Sequence, residues 1–154
     1  MKLVKIVLPV LLVAVLFSGC GKKYKTTKCT NSIITTEMKY TAEYEINYDE
    51  EDVVAYVNIT EKVESDDESY LETTRQTTKN IYETTNTNYG GYDCNVNING
   101  NTLISKCKVD YTKMDLKKYI EDNPDISSII KGKDSIKLNE SIKIYESLGA
   151  KCEK

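Results

Sequence analysis

The stretch that decides the fold is MKYTAEYEINYDEEDVVAYVNITEKV, residues 38–63. In two runs, apolar and tyrosine side chains alternate with polar ones: Tyr40, Ala42, Tyr44, Ile46 and Tyr48, then Val53, Ala55, Val57 and Ile59. Alternation of period two places such a set on one face of a β-strand. The acidic residues 49–52 separate the runs and keep Tyr48 and Val53 on the same face, so the stretch predicts a long antiparallel hairpin with one buried side.

The tyrosine row of this hairpin, Tyr40, Tyr44 and Tyr48, has two interpretations. Such a row is most often the packed face of a sheet. It can also be a contact face for a ligand, because a tyrosine buries a ring but keeps a hydroxyl that needs water or a partner. Every aromatic residue after residue 19 is a tyrosine, so we expect a thin and partly polar core.

A helix and a short strand are expected around this hairpin. The strand is expected near residues 24–30, before the hairpin, and the helix is expected directly after the hairpin. A capping box of Ser65 with Glu68, or of Ser69 with Glu72, should begin the helix. Its inner face should carry residues at helical spacing: Leu71, Thr74, Thr78, Ile81 and Thr85. Gly90-Gly91 should end it.

A second hairpin carries Cys94 and Cys107, and two registers are possible. A type I′ turn at Asn99-Gly100 would place Cys94 opposite Ser105. A two-residue loop at Gly100-Asn101 instead places Cys94 opposite Cys107, in a non-hydrogen-bonded pair whose Cα atoms are close enough for a bridge. It also sets Asp93 beside Lys108. We adopt the second register, which predicts a Cys94–Cys107 disulfide.

The last third of the chain predicts short helices. One should end before Pro124, one further turn should close at Gly132, and a final helix should begin at an Asn139 cap and end at Gly149. The sequence thus predicts an α+β fold in which two or three helices pack on an antiparallel sheet of about five strands. The expected order is β-β-β-α-β-β-α-α.

The N-terminus has the pattern of an export signal. Residues 1–19 resemble a secretory leader, with Lys2 and Lys5 ahead of an apolar run at residues 6–17. That run is shorter than the roughly 20 residues that a spanning helix needs, although an uncleaved anchor helix is the alternative. Leu16-Phe17-Ser18-Gly19-Cys20 resembles a bacterial lipobox, so we expect a lipid on Cys20. Residues 20–28 would then form the lipidated end and a basic tether, and residues 29–154 a single domain.

The cysteine count agrees with export. Lipidation of Cys20 leaves four of the five cysteines, an even number that predicts two disulfides. By elimination, Cys152 pairs with Cys29. No pair has Cys-x-x-Cys spacing and the chain has no histidine, so neither a zinc site nor a thioredoxin-like redox pair is expected.

These features together resemble the YehR-like small bacterial lipoproteins. The residues that carry the likeness are Cys20, Cys29, Cys107, Asn139-Glu140 and Gly149-Ala150-Lys151-Cys152. The resemblance implies a compact α+β domain on a bacterial surface. It implies no activity, because it brings no functional residues to carry over.

Net charge and the lack of catalytic motifs exclude several classes of function. The formal net charge is −3, and it becomes −5 without Lys2 and Lys5, so a nucleic-acid partner is not expected. Without histidine, a nucleophile elbow or a phosphate loop, we expect no enzyme, no cofactor and no metal site. The prediction is a monomeric, extracytoplasmic lipoprotein that a lipid attaches to the cell membrane and that acts as a non-enzymatic binding or accessory module. The alternative is a structural or protein-interaction component of the cell envelope without a small-molecule site.

Overall fold

The computed structural model describes residues 23–132 and 134–153. The expected leader, residues 1–19, and the expected lipidation site, Cys20, lie outside these residues. The described chain is α+β, with these elements in order: β1 (Lys25–Ile34), β2 (Lys39–Tyr48), β3 (Val54–Glu64), α1 (Glu68–Tyr89), β4 (Tyr92–Asn99), β5 (Thr102–Asp110), α2 (Leu116–Asp122), α3 (Pro124–Ile129), α4 (Leu138–Ser147) and β6 (Lys151–Cys152). The predicted fold class is confirmed, and β6 is a sixth strand that the sequence did not predict.

The six strands form one antiparallel sheet in the order β4-β5-β3-β2-β1-β6. The predicted first hairpin is β2–β3, with Ile46 opposite Val57. A register shift after Asn47 places Tyr48 opposite Val54, while Val53 pairs instead with Lys137. The expected position of Val53 in the hairpin was therefore wrong, because an irregularity of this kind changes which residues oppose each other in the ladder.

The second hairpin has the predicted register. Cys94 lies opposite Cys107, and Asp93 opposite Lys108, around the two-residue loop at Gly100-Asn101. Gly100 has a φ of 59°, a left-handed conformation that glycine adopts without a steric cost. Disulfides join Cys94 to Cys107 and Cys29 to Cys152.

Helix α1 covers one end of the sheet, but it begins at a cap that was not predicted, and one of its five predicted inner residues faces outward. Its N-cap is Asp67, whose carboxylate accepts a hydrogen bond from the Tyr70 amide at 2.9 Å, so neither predicted capping box forms. Leu71 is 1% exposed, whereas Ile81 is 56% exposed and Tyr82 packs against the core in its place. The other four predicted inner residues are buried or half-buried, so the predicted face is wrong only at this turn, where the buried position lies about 100° from the predicted one.

The C-terminal helices cover the rest of the same face. Helix α4 begins two residues earlier than predicted, with Lys137 rather than Asn139 as its N-cap. The buried Glu140 side chain explains this start, because it accepts hydrogen bonds from the Lys137 amide at 3.0 Å and the Lys131 amide at 2.8 Å. Gly149 follows the helix with a φ of 88°, as predicted for a helix end.

The two faces of the sheet differ in character. The helices cover one face and the other is polar, with Lys28 paired to Glu43 and Glu45, and Lys39 paired to Glu64. Among the described residues, no helix is both long enough and apolar enough to span a membrane.

Candidate ligand-binding cleft

A cleft of about 1030 Å³ opens on the helix-covered side of the sheet. Its floor is formed by strand residues, among them Tyr44 of β2 and Ile59 and Glu61 of β3. One wall is α1 from Ile81 onward, and the opposite wall comes from α3 and α4. The first hairpin thus has a hollow above its inner face.

The position of the helices explains the opening. Helix α1 packs against β4 and helix α4 packs against β2. The inner face of β3 therefore lies between the areas of the sheet that these two helices cover. The buried apolar side chains accordingly form two clusters. The smaller lies beside the first turn of α1: Val63, Leu71, Val96 and Leu103. The larger lies beneath α2, α3 and α4 and includes Ile46, Val57, Ile120 and Ile136.

Tyrosines supply most of the aromatic surface of the cleft. Seven line it: Tyr44, Tyr82, Tyr89, Tyr92, Tyr111, Tyr119 and Tyr145. The rings of Tyr44 and Tyr145 are stacked with centroids 4.3 Å apart, and those of Tyr89 and Tyr119 meet edge to face at 5.3 Å. Contacts of this kind fix the orientation of the rings, so the walls are largely preformed.

A carboxylate, Glu61, lies among the tyrosine hydroxyls on the floor. Its Oε1 accepts a hydrogen bond from the Tyr40 hydroxyl at 2.8 Å, and its Oε2 accepts one from the Tyr82 hydroxyl at 2.9 Å. The Tyr82 hydroxyl also lies 3.0 Å from the hydroxyl of the buried Ser105. Burial, with the neighbouring Glu61 charge, raises the pKa of both Tyr40 and Tyr82. Both phenols therefore remain protonated donors at neutral pH.

The deeper tyrosines are neutral for the same physical reason. Burial raises the pKa of Tyr92, Tyr111 and Tyr145 above the usual range for a phenol. The cleft therefore presents aromatic rings and neutral hydroxyls near the Glu61 carboxylate, with a second carboxylate, Asp125, also in its lining, an arrangement suited to binding.

Of the three tyrosines predicted as a possible contact face, only Tyr44 lines the cleft. Tyr40 contributes indirectly by holding Glu61, and Tyr48 packs against the edge of the larger core cluster. Sequence reasoning missed Glu61 and the other six lining tyrosines as site residues. The one signal for them was that all aromatic residues of the domain are tyrosines.

The predicted disulfides flank the floor of the cleft. Cys107 lies opposite Ile59, and Cys29 lies opposite Tyr44. Each disulfide thus fixes a strand next to a floor residue. Two disulfides indicate an oxidising, extracytoplasmic environment. Within residues 23–132 and 134–153, no group of three or more acidic or cysteine side chains comes together in a way that could hold a metal ion.

Comparison with protein families and with curated protein sequences gives no match. Among solved structures, the fold is similar to an NMR structure of a protein from Streptococcus pneumoniae TIGR4. The TM-score is 0.53 with 15% sequence identity, over 99% of this chain and 98% of that chain. At this identity the likeness shows a shared fold alone.

Proposed function

We propose that the chain is a bacterial lipoprotein, held at the membrane surface by a lipid on Cys20, whose domain binds a small ligand in the tyrosine cleft without converting it. The observation that carries the binding role is the cleft itself, about 1030 Å³ of space on the inner face of a sheet that would otherwise be core. Small-molecule sites are concave, mostly apolar spaces of this size with a few polar groups. The lipobox-like residues 16–20 and the two disulfides support the location.

Binding in the cleft is tested by obstructing it. Thr85 lines the cleft, whereas Thr87 is exposed on the same helix, and each donates a hydrogen bond to the carbonyl four residues earlier, at 2.7 and 2.8 Å. Thr85→Trp should place an indole in the cleft, and Thr87→Trp is the matched control. A library of amines, sugars, amino acids and aromatic acids can be screened by saturation-transfer NMR. We expect at least one compound to bind the wild type and Thr87→Trp but not Thr85→Trp.

Two outcomes would contradict the binding role. If no compound binds the wild type, the domain has no small-molecule function of the proposed kind and the search moves to a protein partner. If binding survives in Thr85→Trp at wild-type affinity, the ligand occupies another surface.

The anchor is tested separately through Cys20. In a bacterium that expresses the chain, the wild type should incorporate an alkyne-tagged palmitate and sediment with the membrane fraction. Cys20→Ala should lose the label and enter the soluble fraction with an unchanged melting temperature. A Cys20→Ala protein that stays in the membrane fraction would show that a different segment holds it there.

A further inference from the structure

We propose that the cleft selects a small organic cation, an amine or a quaternary ammonium compound, which the tyrosine rings hold beside the Glu61 carboxylate. This inference rests on the proposed binding function and names the chemical class of its ligand. Four features of the described residues carry it: the charges of the lining, the surroundings of Glu61, the arrangement of the rings, and a lysine already seated against one of them.

Among the residues that the structure describes, the lining carries negative charge and no positive charge. Apart from tyrosines, the ionisable residues of this described lining are Glu61 and Asp125, and it includes neither lysine nor arginine. An anionic ligand would meet two carboxylates without a counter-charge, and like charges at close range are unfavourable in a partly desolvated site. Charge complementarity therefore favours a cation.

Glu61 is held in place but has no cationic partner in the described part of the chain. Two phenols bind its two oxygens, and a carboxylate has about four acceptor positions, so further acceptor capacity remains. The side chain is half-buried on the sheet, between Ala42 and Ser105 on the neighbouring strands. A charge removed from water is costly unless it is paired, and a cationic ligand would supply the pairing that Tyr40 and Tyr82 do not.

Tyrosine side chains converge on this carboxylate, two of them through hydrogen bonds from their hydroxyls. The hydroxyl of Tyr44 lies 3.5 Å from that of Tyr40, which is bonded to Glu61. The rings of Tyr82 and Tyr92 have centroids 6.4 Å apart and are inclined at 34° to each other. The face of an aromatic ring attracts a cation within about 6 Å of its centroid, and clusters of aromatic rings are a common recognition site for quaternary ammonium groups.

The chain itself places a cation against the ring of Tyr89, which also lines the cleft. The Lys118 Nζ lies 5.5 Å from the Tyr89 ring centroid and donates a hydrogen bond to the Asn88 carbonyl at 3.3 Å. This lysine is outside the lining and leaves Glu61 unpaired. It shows that a ring at the edge of the cleft already takes part in a cation–π contact.

The test compares matched pairs of cationic and neutral compounds by isothermal titration calorimetry. Choline is paired with its neutral isostere 3,3-dimethylbutan-1-ol, and butylammonium is paired with butan-1-ol. At least one cation should bind at least tenfold more tightly than its neutral partner. Glu61→Gln should reduce that affinity at least tenfold, while Glu43→Gln, the same charge change on the opposite face, should leave it unaltered.

Each alternative outcome decides a different part of the account. Equal affinity within both pairs, or a neutral polyol binding better than either cation, would overturn the choice of a cation and leave the binding function standing. Failure of every library compound to bind would overturn both. Should Glu61→Gln fail to fold, as judged by its melting transition, the comparison of isosteres on the wild type still decides the question.

Discussion

Removing the two disulfides one at a time should cost different amounts of stability. Cys29 is fully buried on β1, and its partner Cys152 lies on β6, a two-residue strand at the edge of the sheet. We compare two double variants, Cys29→Ala/Cys152→Ala and Cys94→Ala/Cys107→Ala. Each removes two sulfurs from the same face of one sheet, so the losses of packing are similar. The two variants then differ in the length of the loop that the disulfide closes.

The loop lengths give the magnitude. The paired cysteines are 123 residues apart in the first case and 13 in the second. In the chain-entropy relation, closing loops of these lengths lowers the entropy of the unfolded chain enough to stabilise the fold by about 4.9 and about 3.0 kcal/mol. The long-range bridge should therefore contribute about 2 kcal/mol more than the hairpin bridge. Against a typical stability of roughly 5–15 kcal/mol, its removal should take away at least about a third of the free energy of unfolding.

The assay is urea denaturation of the wild type and the two double variants, followed by circular dichroism. The free energy of unfolding should fall in both variants, and further in Cys29→Ala/Cys152→Ala. Equal losses, or a larger loss from the hairpin pair, would refute the reasoning from loop length. A wild type that titrates four free thiols without reduction would show that neither bridge forms.

Three further predictions concern the helix-covered face. Burial raises the pKa of Tyr145 in the folded protein, so on raising the pH the unfolded chain loses the Tyr145 proton first. The free energy of unfolding should therefore be constant below a pH of about 10. Above that pH it should fall by about 1.4 kcal/mol per pH unit for each tyrosine whose pKa is raised by burial. Denaturation and tyrosinate absorbance at increasing pH check this, and a flat stability profile would contradict it. Asp67→Ala should lower the free energy of unfolding by about 1 kcal/mol through loss of the α1 cap, whereas Asp66→Ala should have a smaller effect. Leu71→Ala should cost about 2–5 kcal/mol and Ile81→Ala less than about 0.5 kcal/mol, as thermal denaturation would show. A loss from Ile81→Ala as large as that from Leu71→Ala would show that Ile81 faces the core, as the sequence predicted.

The hairpins were predictable because their signals are local. Alternation over residues 40–48 fixes which face is buried, and a one-residue slip would expose that face. In the second hairpin, the requirement that Cys94 meet Cys107 chose between two turns. The pairing of Cys29 with Cys152 followed from the number of cysteines alone. The short strand β6 pairs with β1 at the same two cysteines that the disulfide joins.

The errors and the missed site share one physical cause, which is that tertiary contacts decide them. The start of α4 depends on Lys137 pairing with Val53 and on Glu140 reaching the Lys131 amide. One turn of α1 depends on which of two adjacent side chains, Ile81 or Tyr82, meets the sheet. The cleft tyrosines come from separate strands, loops and helices with no shared spacing. These tyrosines line one cleft because α1 and α4 are separated across β3, and no pattern in the sequence predicts that separation.

The central claim is that the hollow above Tyr44 and Glu61 receives a small organic cation. The most direct measurement is a titration, with choline and then with butylammonium, of protein carrying ¹³C-labelled tyrosine rings, followed by NMR. The cleft resonances of Tyr44, Tyr82 and Tyr92 should shift together and saturate, while Tyr56, on the opposite face of the sheet beside Lys108, should remain still. Shifts confined to Tyr56, or no saturable shift at any cleft tyrosine, would contradict the account.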